Sequence, residues 1–336
     1  MGRKASPHSA MLNLVTGHWV SRLVQIAAAL NFADLLKDRQ RTSEELASIA
    51  GVQPQPLYRV LRALASVGVV AETKNRRFKL TPLGATLQTN APGSMRKQAM
   101  LLNSDWQWDA WKQLLHGLKT GEVPFEKAHG LPVFEYLEKH PQEHAVFHEA
   151  TTGLTNAAVA AAYKFSKFRT LVEVGGGHGS LLAAILMTYP KLKGVLFDRP
   201  SVIEGASTSG PLIAKEIAPR CTFEAGSFFD SVPKGADAYT MKYILHDWDD
   251  EKSIKILSNC RDAMNKNSRL LVVDSIIPPG NDPGYVKLLD IEMLIIGGRE
   301  RTKADFAEIF RKAGLKLTRV FPTKGPLSIV EGVRAN

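Results

Sequence analysis

Cysteine is scarce in this chain. Its 336 residues include only Cys221 and Cys260, and neither belongs to a CxxC pair. This usage suits free structural thiols in a reducing compartment. The N-terminal stretch MGRKASPHSA leads into no compact apolar segment of the signal-peptide kind, so we expect a cytoplasmic protein.

Long apolar runs are also absent. The stretch LVQIAAALNFADLL is interrupted by Asn31 and Asp34, and His18 and Arg22 precede it. It is too short and too polar to span a bilayer, so we expect no membrane partner. A hydrophobic content of 44% over 336 residues instead predicts a folded protein of two domains.

Acidic residues are few in the first third of the chain. Residues 1–104 carry 14 Lys and Arg against 5 Asp and Glu, whereas the remaining residues carry 29 against 28. The net charge of +10 therefore comes almost entirely from the first part. A basic region of this kind raises nucleic acid or an anionic ligand as partners.

The segment that begins at Thr42 predicts a winged helix. Thr42 and Glu45 fit a capping box, and Gly51 closes this first short helix. Apolar residues at helical spacing mark a second helix, namely Leu57, Val60, Leu61, Leu64 and Val67. The stretch VVAETKNRRFKLT then predicts two short strands around a polar turn.

Winged helices bind DNA or serve as dimerisation modules inside enzymes. The basic side chains that could meet phosphates are Arg59, Arg62, Arg76, Arg77 and Lys79. Base readout requires polar side chains on the second helix, however, and this helix is mostly apolar. We therefore expect dimerisation and do not expect a nucleic-acid partner.

A metal site has little support. His140, His144 and His148 recur at a spacing of four residues on one face of a predicted helix. The Glu of an HExxH motif is missing, and Pro141 starts the helix. We interpret these histidines as a solvated face and expect no bound metal.

From residue 168 onwards, buried strands alternate with helical stretches. The strands are predicted in TLVEVG, KGVLFD, AYTMKY and RLLVVD. This alternation predicts an α/β fold with a doubly wound parallel sheet. In such sheets ligands bind at the carboxyl ends of the strands.

The loop after the first of these strands, in LVEVGGGHGS, predicts a nucleoside site without a pyrophosphate. Gly175, Gly177 and Gly179 depart from the GxGxxG spacing of dinucleotide-binding loops. Asp198 ends the second strand, where a carboxylate can accept both ribose hydroxyls. Glu173 precedes the loop, and its carboxylate would repel a pyrophosphate but hold an ammonium group. S-Adenosylmethionine has an ammonium, a ribose and an adenine and no phosphate, so we expect it as the cofactor.

The sequence resembles the caffeic-acid-type, metal-independent O-methyltransferases of plants and their relatives in microbial natural-product pathways. The motifs that carry the resemblance are LVEVGGGHGSLLAAIL, GVLFDRPSVI, GSFFDSVPKGADAYTMKYILHDWDDE and DIEMLIIGGRERT. It covers most of the chain, because that family begins with a winged-helix dimerisation domain. The resemblance implies a dimerisation domain over residues 1–104 and a class I methyltransferase domain over residues 105–336.

The resemblance also implies which residues hold the cofactor. Gly175 and Gly177 would cradle its methionine part, and Asp198 would bind the ribose. In GSFF, Phe228 would lie against the adenine face. Ser227 stands where relatives often have an Asp that contacts the adenine amino group, and Lys242 matches a lysine beside the cofactor.

By the same resemblance, His246 is the catalytic base, and Asp274 and Glu300 orient it. The ordinary pKa of histidine, about 6.5, allows an imidazole to take a hydroxyl proton near neutral pH. A carboxylate on the second ring nitrogen would fix the tautomer. Asp274 is shorter than the glutamate usual at its position. The other nearby acids, Asp247, Asp249 and Asp250, are predicted to cap the following helix.

We therefore predict a homodimeric, S-adenosylmethionine-dependent O-methyltransferase that acts on a small aromatic hydroxyl compound. Apolar side chains near MLNLVTGHWV are expected to reach the partner's pocket. Two alternatives stay open: a family member with a different reaction, and a DNA-binding regulator that uses the second domain as a sensor. The sequence does not name the acceptor, and it leaves nitrogen and sulfur acceptors open.

Overall fold

The structure is a computed structural model that describes residues 6–91, 93–152 and 155–335, without the side chains of His148 and Thr152. Its described residues form two compact units. The first unit comprises residues 6–108 and 137–151, and the second comprises residues 109–136 and 152–335. Within the described residues, no helix is long and apolar enough to cross a membrane.

The N-terminal part of the first unit is a helical domain with a small antiparallel sheet. Its helices are α1 (Pro7–Val15), α2 (Gly17–Ala29), α3 (Phe32–Leu35), α4 (Ser43–Ala50), α5 (Pro54–Ser66), α6 (Pro82–Ala85) and α7 (Arg96–Leu101). Its strands are β1 (Arg41–Thr42), β2 (Val70–Glu72) and β3 (Arg77–Leu80), in the order β1-β3-β2. The predicted winged helix, α4 and α5 followed by the β2–β3 hairpin, is confirmed.

Local sequence explains where α4 begins and ends. The Thr42 hydroxyl accepts from the Glu45 amide at 3.2 Å, and the Glu45 carboxylate accepts from the Thr42 amide at 2.7 Å. This is the capping box that the sequence predicts. Gly51 ends the helix with φ of 68°, a conformation that glycine adopts without steric strain. Leu61 and Leu64 of α5 are fully buried in the hydrophobic core that α5 shares with α4.

The first two helices carry an exposed apolar surface. No residue of α1 is buried. Its exposed large side chains, with those at the start of α2, are Met11, Leu12, Leu14, Val15, Trp19 and Val20. Leu14 leaves 75% of its surface in contact with solvent. Several exposed large apolar side chains within one short stretch of a folded chain indicate a protein-binding face.

Six helices connect the winged helix to the large sheet. They are α8 (Asp105–Trp111), α9 (Leu114–Thr120), α10 (Pro124–His129), α11 (Val133–Lys139), α12 (Pro141–Thr152) and α13 (Asn156–Ala162). The helix that the sequence predicts to start at Pro141 is confirmed as α12. Among the described residues, no group of three or more His, Cys, Asp or Glu side chains could hold a metal ion.

The second unit contains a seven-stranded sheet. Its strands are β4 (Thr170–Val174), β5 (Lys193–Asp198), β6 (Cys221–Ala225), β7 (Ala238–Lys242), β8 (Arg269–Ser275), β9 (Leu315–Pro322) and β10 (Leu327–Arg334), in the order β6-β5-β4-β7-β8-β10-β9. Its helices are α14 (Ser180–Thr188), α15 (Pro200–Ser209), α16 (Asp250–Ala263), α17 (Tyr285–Ile296) and α18 (Lys303–Lys312). The four strands predicted from the sequence are β4, β5, β7 and β8.

The sheet is mixed, because its last two strands form a hairpin. Strands β6, β5, β4, β7 and β8 pair in parallel, whereas β10 pairs antiparallel with both β8 and β9. The connection from β9 to β10 is too short for a parallel crossover, so the two strands must run in opposite directions. Both faces of the sheet are covered. Leu171 and Leu182 belong to one buried cluster, and Val172 and Leu257 belong to another.

Candidate active site

The side chains predicted to bind cofactor and acceptor gather at one edge of the sheet. Strands β5, β4, β7 and β8 are neighbours and run parallel, so their carboxyl ends lie side by side. Asp198 and Lys242 are the last residues of β5 and β7, and Asp274 is the second-last residue of β8. The glycine loop follows β4. This edge is where ligands bind in parallel α/β sheets.

The glycine loop leaves no room for a side chain at its first position. Gly175 has φ of 66°, and a Cβ there would lie 2.5 Å from Ile244 Cδ1 and 3.3 Å from Phe228 Cε1. A Cβ on Gly176 would lie 2.7 Å from the Glu173 carboxyl carbon. The loop backbone therefore approaches the Phe228 ring on one side and the Glu173 side chain on the other.

Asp198 is held by two backbone amides. Its Oδ2 accepts from the Gly177 amide at 2.8 Å, and its Oδ1 accepts from the Arg199 amide at 2.7 Å. Burial raises the pKa of Asp198, and these two hydrogen bonds oppose that effect. Each carboxylate oxygen keeps a further lone pair. This fixed carboxylate beside a bare loop backbone fits the two hydroxyls of a ribose.

Glu173 is buried below the loop, with 2% of its surface exposed. Its Oε2 accepts from the Leu182 amide at 3.1 Å, in the first turn of α14. Burial raises the pKa of Glu173 to about 8, which the Leu182 hydrogen bond and Lys242 oppose. The side chain thus supports the loop from below, and the role in holding the cofactor ammonium stays a prediction.

Lys242 contacts Asn156, a residue that no sequence motif identifies as part of the site. Its Nζ donates to Asn156 Oδ1 at 2.7 Å, at the start of α13. Burial lowers the pKa of Lys242 to about 8, although Glu173 opposes this shift. The two residues are 86 positions apart, so neither periodicity nor a local motif signals their contact.

Ser227 and Phe228 lie on a turn that is rich in aromatic rings. The Ser227 hydroxyl accepts from the Phe229 amide at 3.2 Å, and the Phe228 carbonyl accepts from Asn259 at 2.8 Å. The Phe229 ring packs edge-on against Trp248, with centroids 4.9 Å apart, and Phe228 lies 6.4 Å from the same indole. The turn is therefore fixed by backbone hydrogen bonds and by ring packing.

His246 lies between two carboxylates. It sits in a short 3₁₀ turn, Leu245–Asp247, directly after β7. Its Nδ1 is 2.9 Å from Glu300 Oε1, and its Nε2 is 3.4 Å from Asp247 Oδ1. Burial lowers the pKa of His246, but Asp247, the Glu300 hydrogen bond and Asp274 outweigh it and raise the pKa to about 9. The arrangement stabilises a positively charged imidazole.

The three acids predicted as helix caps have different roles. Asp249 caps α16, since its carboxylate accepts from the Lys252 amide at 2.8 Å, and the prediction is confirmed for this residue. For Asp247 the prediction is wrong, because its carboxylate faces the imidazole. The main partner of Asp250 is Arg301, at 2.8 Å. Sequence alone does not show which acid directly precedes the helix, and the structure places Asp247 in the 3₁₀ turn, two residues before the N-cap Asp249.

The segment GGRERT fastens the turn that carries His246. The Arg301 guanidinium is 1% exposed and donates to the carbonyls of Leu245 and Trp248, the hydroxyl of Ser253 and the carboxylate of Asp250. The Arg299 amide donates to the His246 carbonyl at 2.8 Å. Gly298 allows this approach, because a Cβ there would lie 2.0 Å from the same carbonyl oxygen.

Asp274 is a fully buried carboxyl group. Neither of its oxygens has a hydrogen-bond partner within the described part of the chain, so its effect on His246 is electrostatic. The Nδ1 atom of His246 already bonds to Glu300, and an aspartate is one methylene shorter than a glutamate. Burial raises the pKa of Asp274 to about 8, although His246 opposes this shift. The buried carboxyl therefore keeps its proton to a higher pH than an exposed aspartate does.

We predict that the difference in Tm between Asp274→Asn and the wild type shifts in favour of the variant as pH rises. The folded pKa of Asp274 lies above its ordinary value of 3.8, so the folded state binds the extra proton and loses stability between about pH 4 and pH 8. Asparagine has nearly the same shape and does not ionise. Thermal unfolding at pH 5 and pH 8.5 measures the effect, and an equal difference in Tm between variant and wild type at both values would contradict it.

Family models match both parts of the chain. Residues 111–316 match the family model of the O-methyltransferase domain, and residues 12–90 match that of the O-methyltransferase dimerisation domain. Phenazine O-methyltransferase PhzM of Lysobacter antibioticus is 43% identical, over 96% of this chain and 95% of that protein. Mitomycin biosynthesis 6-O-methyltransferase of Streptomyces lavendulae is 37% identical, over 99% of this chain and 96% of that protein.

The structure of CalO1, a methyltransferase in calicheamicin biosynthesis with S-adenosylhomocysteine bound, superimposes with a TM-score of 0.86. It is 34% identical to this chain, and the match covers 99% of this chain and 100% of that one. These matches do not favour the DNA-binding regulator, because the N-terminal part matches the dimerisation domain of an enzyme family.

Proposed function

Because the chain belongs to the family of S-adenosylmethionine-dependent O-methyltransferases with an N-terminal dimerisation domain, we propose that it methylates a hydroxyl group of a small aromatic metabolite, with His246 as general base and no metal. The observation that carries the proposal is the 2.9 Å hydrogen bond from His246 to Glu300 at the edge of the sheet that holds Asp198 and the glycine loop. The chain is an O-methyltransferase of the natural-product type.

The residues at this edge fit the cofactor. Asp198 would bind the ribose, and Phe228 and Ser227 would border the adenine. Gly175, Gly177, Glu173 and Lys242 would surround the methionine part. When bound, S-adenosylmethionine supplies a methyl group on a positively charged sulfur, which is a good leaving group. What this leaves to the protein is the alignment of the acceptor oxygen and the removal of its proton.

Glu300 determines which ring nitrogen of His246 can act. By accepting from Nδ1–H, it fixes the tautomer in which the Nε2 lone pair is available for a hydroxyl proton. Once Nε2 has taken the proton, the imidazolium lies between Glu300 and Asp247, with Asp274 nearby. Glu300 is thus a positioning residue, and Asp247 stabilises the charged product of the proton transfer.

The raised pKa of His246 gives a specific pH dependence. A base must be unprotonated, so kcat/KM is expected to rise with pH up to about 9 and then to level off. Glu300→Gln keeps an acceptor for Nδ1–H and removes the charge, so the rising limb should move to lower pH. Rate profiles from pH 6 to pH 10 measure both enzymes. A flat wild-type profile, or an unshifted one in the variant, would count against His246 as the base.

Family membership supports a natural-product acceptor in general terms, and the names of the relatives indicate which compounds to test. PhzM is named as a phenazine O-methyltransferase, and the Streptomyces lavendulae enzyme is named for mitomycin biosynthesis. Hydroxylated phenazines, naphthoates, simple phenols, flavonoids and aromatic polyketides are therefore the compounds to assay first.

We predict that His246→Ala loses methyl transfer. Removal of a general base reduces kcat by about 10² to 10⁴-fold. Methyl transfer from labelled S-adenosylmethionine across the acceptor panel, together with S-adenosylhomocysteine release, measures the loss, and calorimetry measures cofactor binding. A variant that still binds cofactor and turns over within tenfold of wild type would reject the assignment of the base.

We also propose that the enzyme is a homodimer joined through residues 1–104. The exposed apolar side chains of α1 and α2 provide the contact surface, and those within residues 11–20 would enter the pocket of the partner subunit. Residues 105–336 would carry the cofactor and the base.

Leu14→Glu is therefore expected to weaken the dimer. Leu14 is 75% exposed in the single chain, and a buried charge in its place weakens association by roughly thirtyfold or more. Leu83, on α6, is 56% exposed and outside α1 and α2, so Leu83→Glu is the matched control. Sedimentation velocity should show a larger monomer fraction only for Leu14→Glu. An unchanged dimer in this variant would place the interface elsewhere.

A further inference from the structure

Tyr243, the residue directly after β7, has an unusual backbone conformation. Its φ is 56°, in the left-handed region. Among the described residues, the other non-glycine residues with positive φ are Asn31, Asn75 and Arg76, all in the first unit. For a large aromatic residue this conformation is strained, and such strain is found where the surrounding structure enforces it, often at functional sites.

The Tyr243 ring lies against the imidazole of His246. The Tyr243 amide still donates to the Val273 carbonyl at 3.1 Å, so β7 keeps its pairing with β8 up to this residue. The chain then turns into the 3₁₀ segment that carries His246. The two rings stack, with centroids 4.9 Å apart and planes inclined by 21°. One face of the imidazole is thus covered by an aromatic ring.

The surroundings of Tyr243 indicate that its aromatic ring, and not its hydroxyl, acts on His246. Burial raises the pKa of the phenol, and Asp274, Tyr285 and Glu300 raise it further. The hydroxyl therefore stays protonated and neutral during turnover. Lys242 Nζ also lies 5.3 Å from the ring centroid. The ring therefore contacts both the lysine assigned to the cofactor and the histidine assigned to the acceptor.

We propose that Tyr243 is a positioning residue for the base. Its ring restricts rotation of the imidazole about its side-chain bonds, so that Nδ1 stays on Glu300 and Nε2 stays directed at the acceptor hydroxyl. The negative face of the ring also favours the imidazolium that forms when Nε2 takes the proton. This inference rests on the proposed role of His246 as general base.

Two substitutions separate the ring from the hydroxyl and from bulk, and two more test the backbone. Tyr243→Phe keeps the ring and removes the hydroxyl. Tyr243→Leu keeps much of the apolar volume and removes the aromatic face. Tyr243→Gly tests the backbone, because glycine adopts a φ of 56° without strain, and its Tm is expected to exceed that of Tyr243→Ala.

The first readout is the His246 imidazole itself, in the enzyme without cofactor or acceptor. NMR spectra of ¹⁵N-histidine-labelled protein give the pKa and the tautomer. The His246 signals among the nine histidines are assigned by their loss in His246→Ala. Tyr243→Phe should leave both properties unchanged. Tyr243→Leu should lower the pKa and mix the tautomers, because the stacked ring no longer holds the imidazolium.

The second readout is methyl transfer. Tyr243→Leu should lower kcat by roughly three- to thirtyfold, the loss expected for a ring–cation contact, with little change in the Kd of S-adenosylmethionine. Tyr243→Phe should retain wild-type kcat.

Unchanged histidine signals in Tyr243→Leu would overturn the proposal, and so would a Tyr243→Phe variant as impaired as Tyr243→Leu. These outcomes are distinct from a failure of the proposed function. In that case His246→Ala would retain activity, or the wild type would methylate no acceptor, while the NMR measurement would still decide the role of the ring.

Discussion

The site depends on one buried guanidinium. Arg301 is almost completely enclosed, so its charge must be satisfied by the protein, and it is satisfied by the turn that carries His246. Loss of one partner of such a buried charge destabilises a protein by about 3–5 kcal/mol. Glu300, the residue before Arg301, is the one that bonds to the imidazole. The guanidinium that anchors the turn and the carboxylate that bonds to the imidazole are therefore neighbours in sequence, and the geometry of His246 depends on a segment more than fifty residues away.

Much of the fold could be predicted because it is encoded locally. The capping box at Thr42, the apolar spacing in α5 and the apolar runs of β4, β5, β7 and β8 each need only neighbouring residues to be recognised. The antiparallel β9–β10 hairpin has no such local signal, because its place in the sheet depends on the pairing of β10 with the distant strand β8.

The candidate site was predictable where a motif names the residue, and not where the contact joins distant segments. The glycine loop and Asp198 follow from strand ends and spacing. The contact of Lys242 with Asn156 joins residues that are far apart in sequence, and no pattern marks it. Asp247 was interpreted as a cap because acids before a helix usually are caps, but its direction depends on how the 3₁₀ turn is fastened by the GGRERT segment. The left-handed conformation of Tyr243 likewise has no signal in its own sequence neighbourhood.

Gly298 restricts how this enzyme can diverge. The His246 carbonyl oxygen occupies the space where any other amino acid would place its Cβ. A side chain at this position would displace the turn that carries His246, whichever acceptor the enzyme uses. New acceptor preferences are therefore expected to evolve through residues that leave Gly298 and the turn that carries His246 intact. The positions that maintain this turn are then different from those that can change with the acceptor.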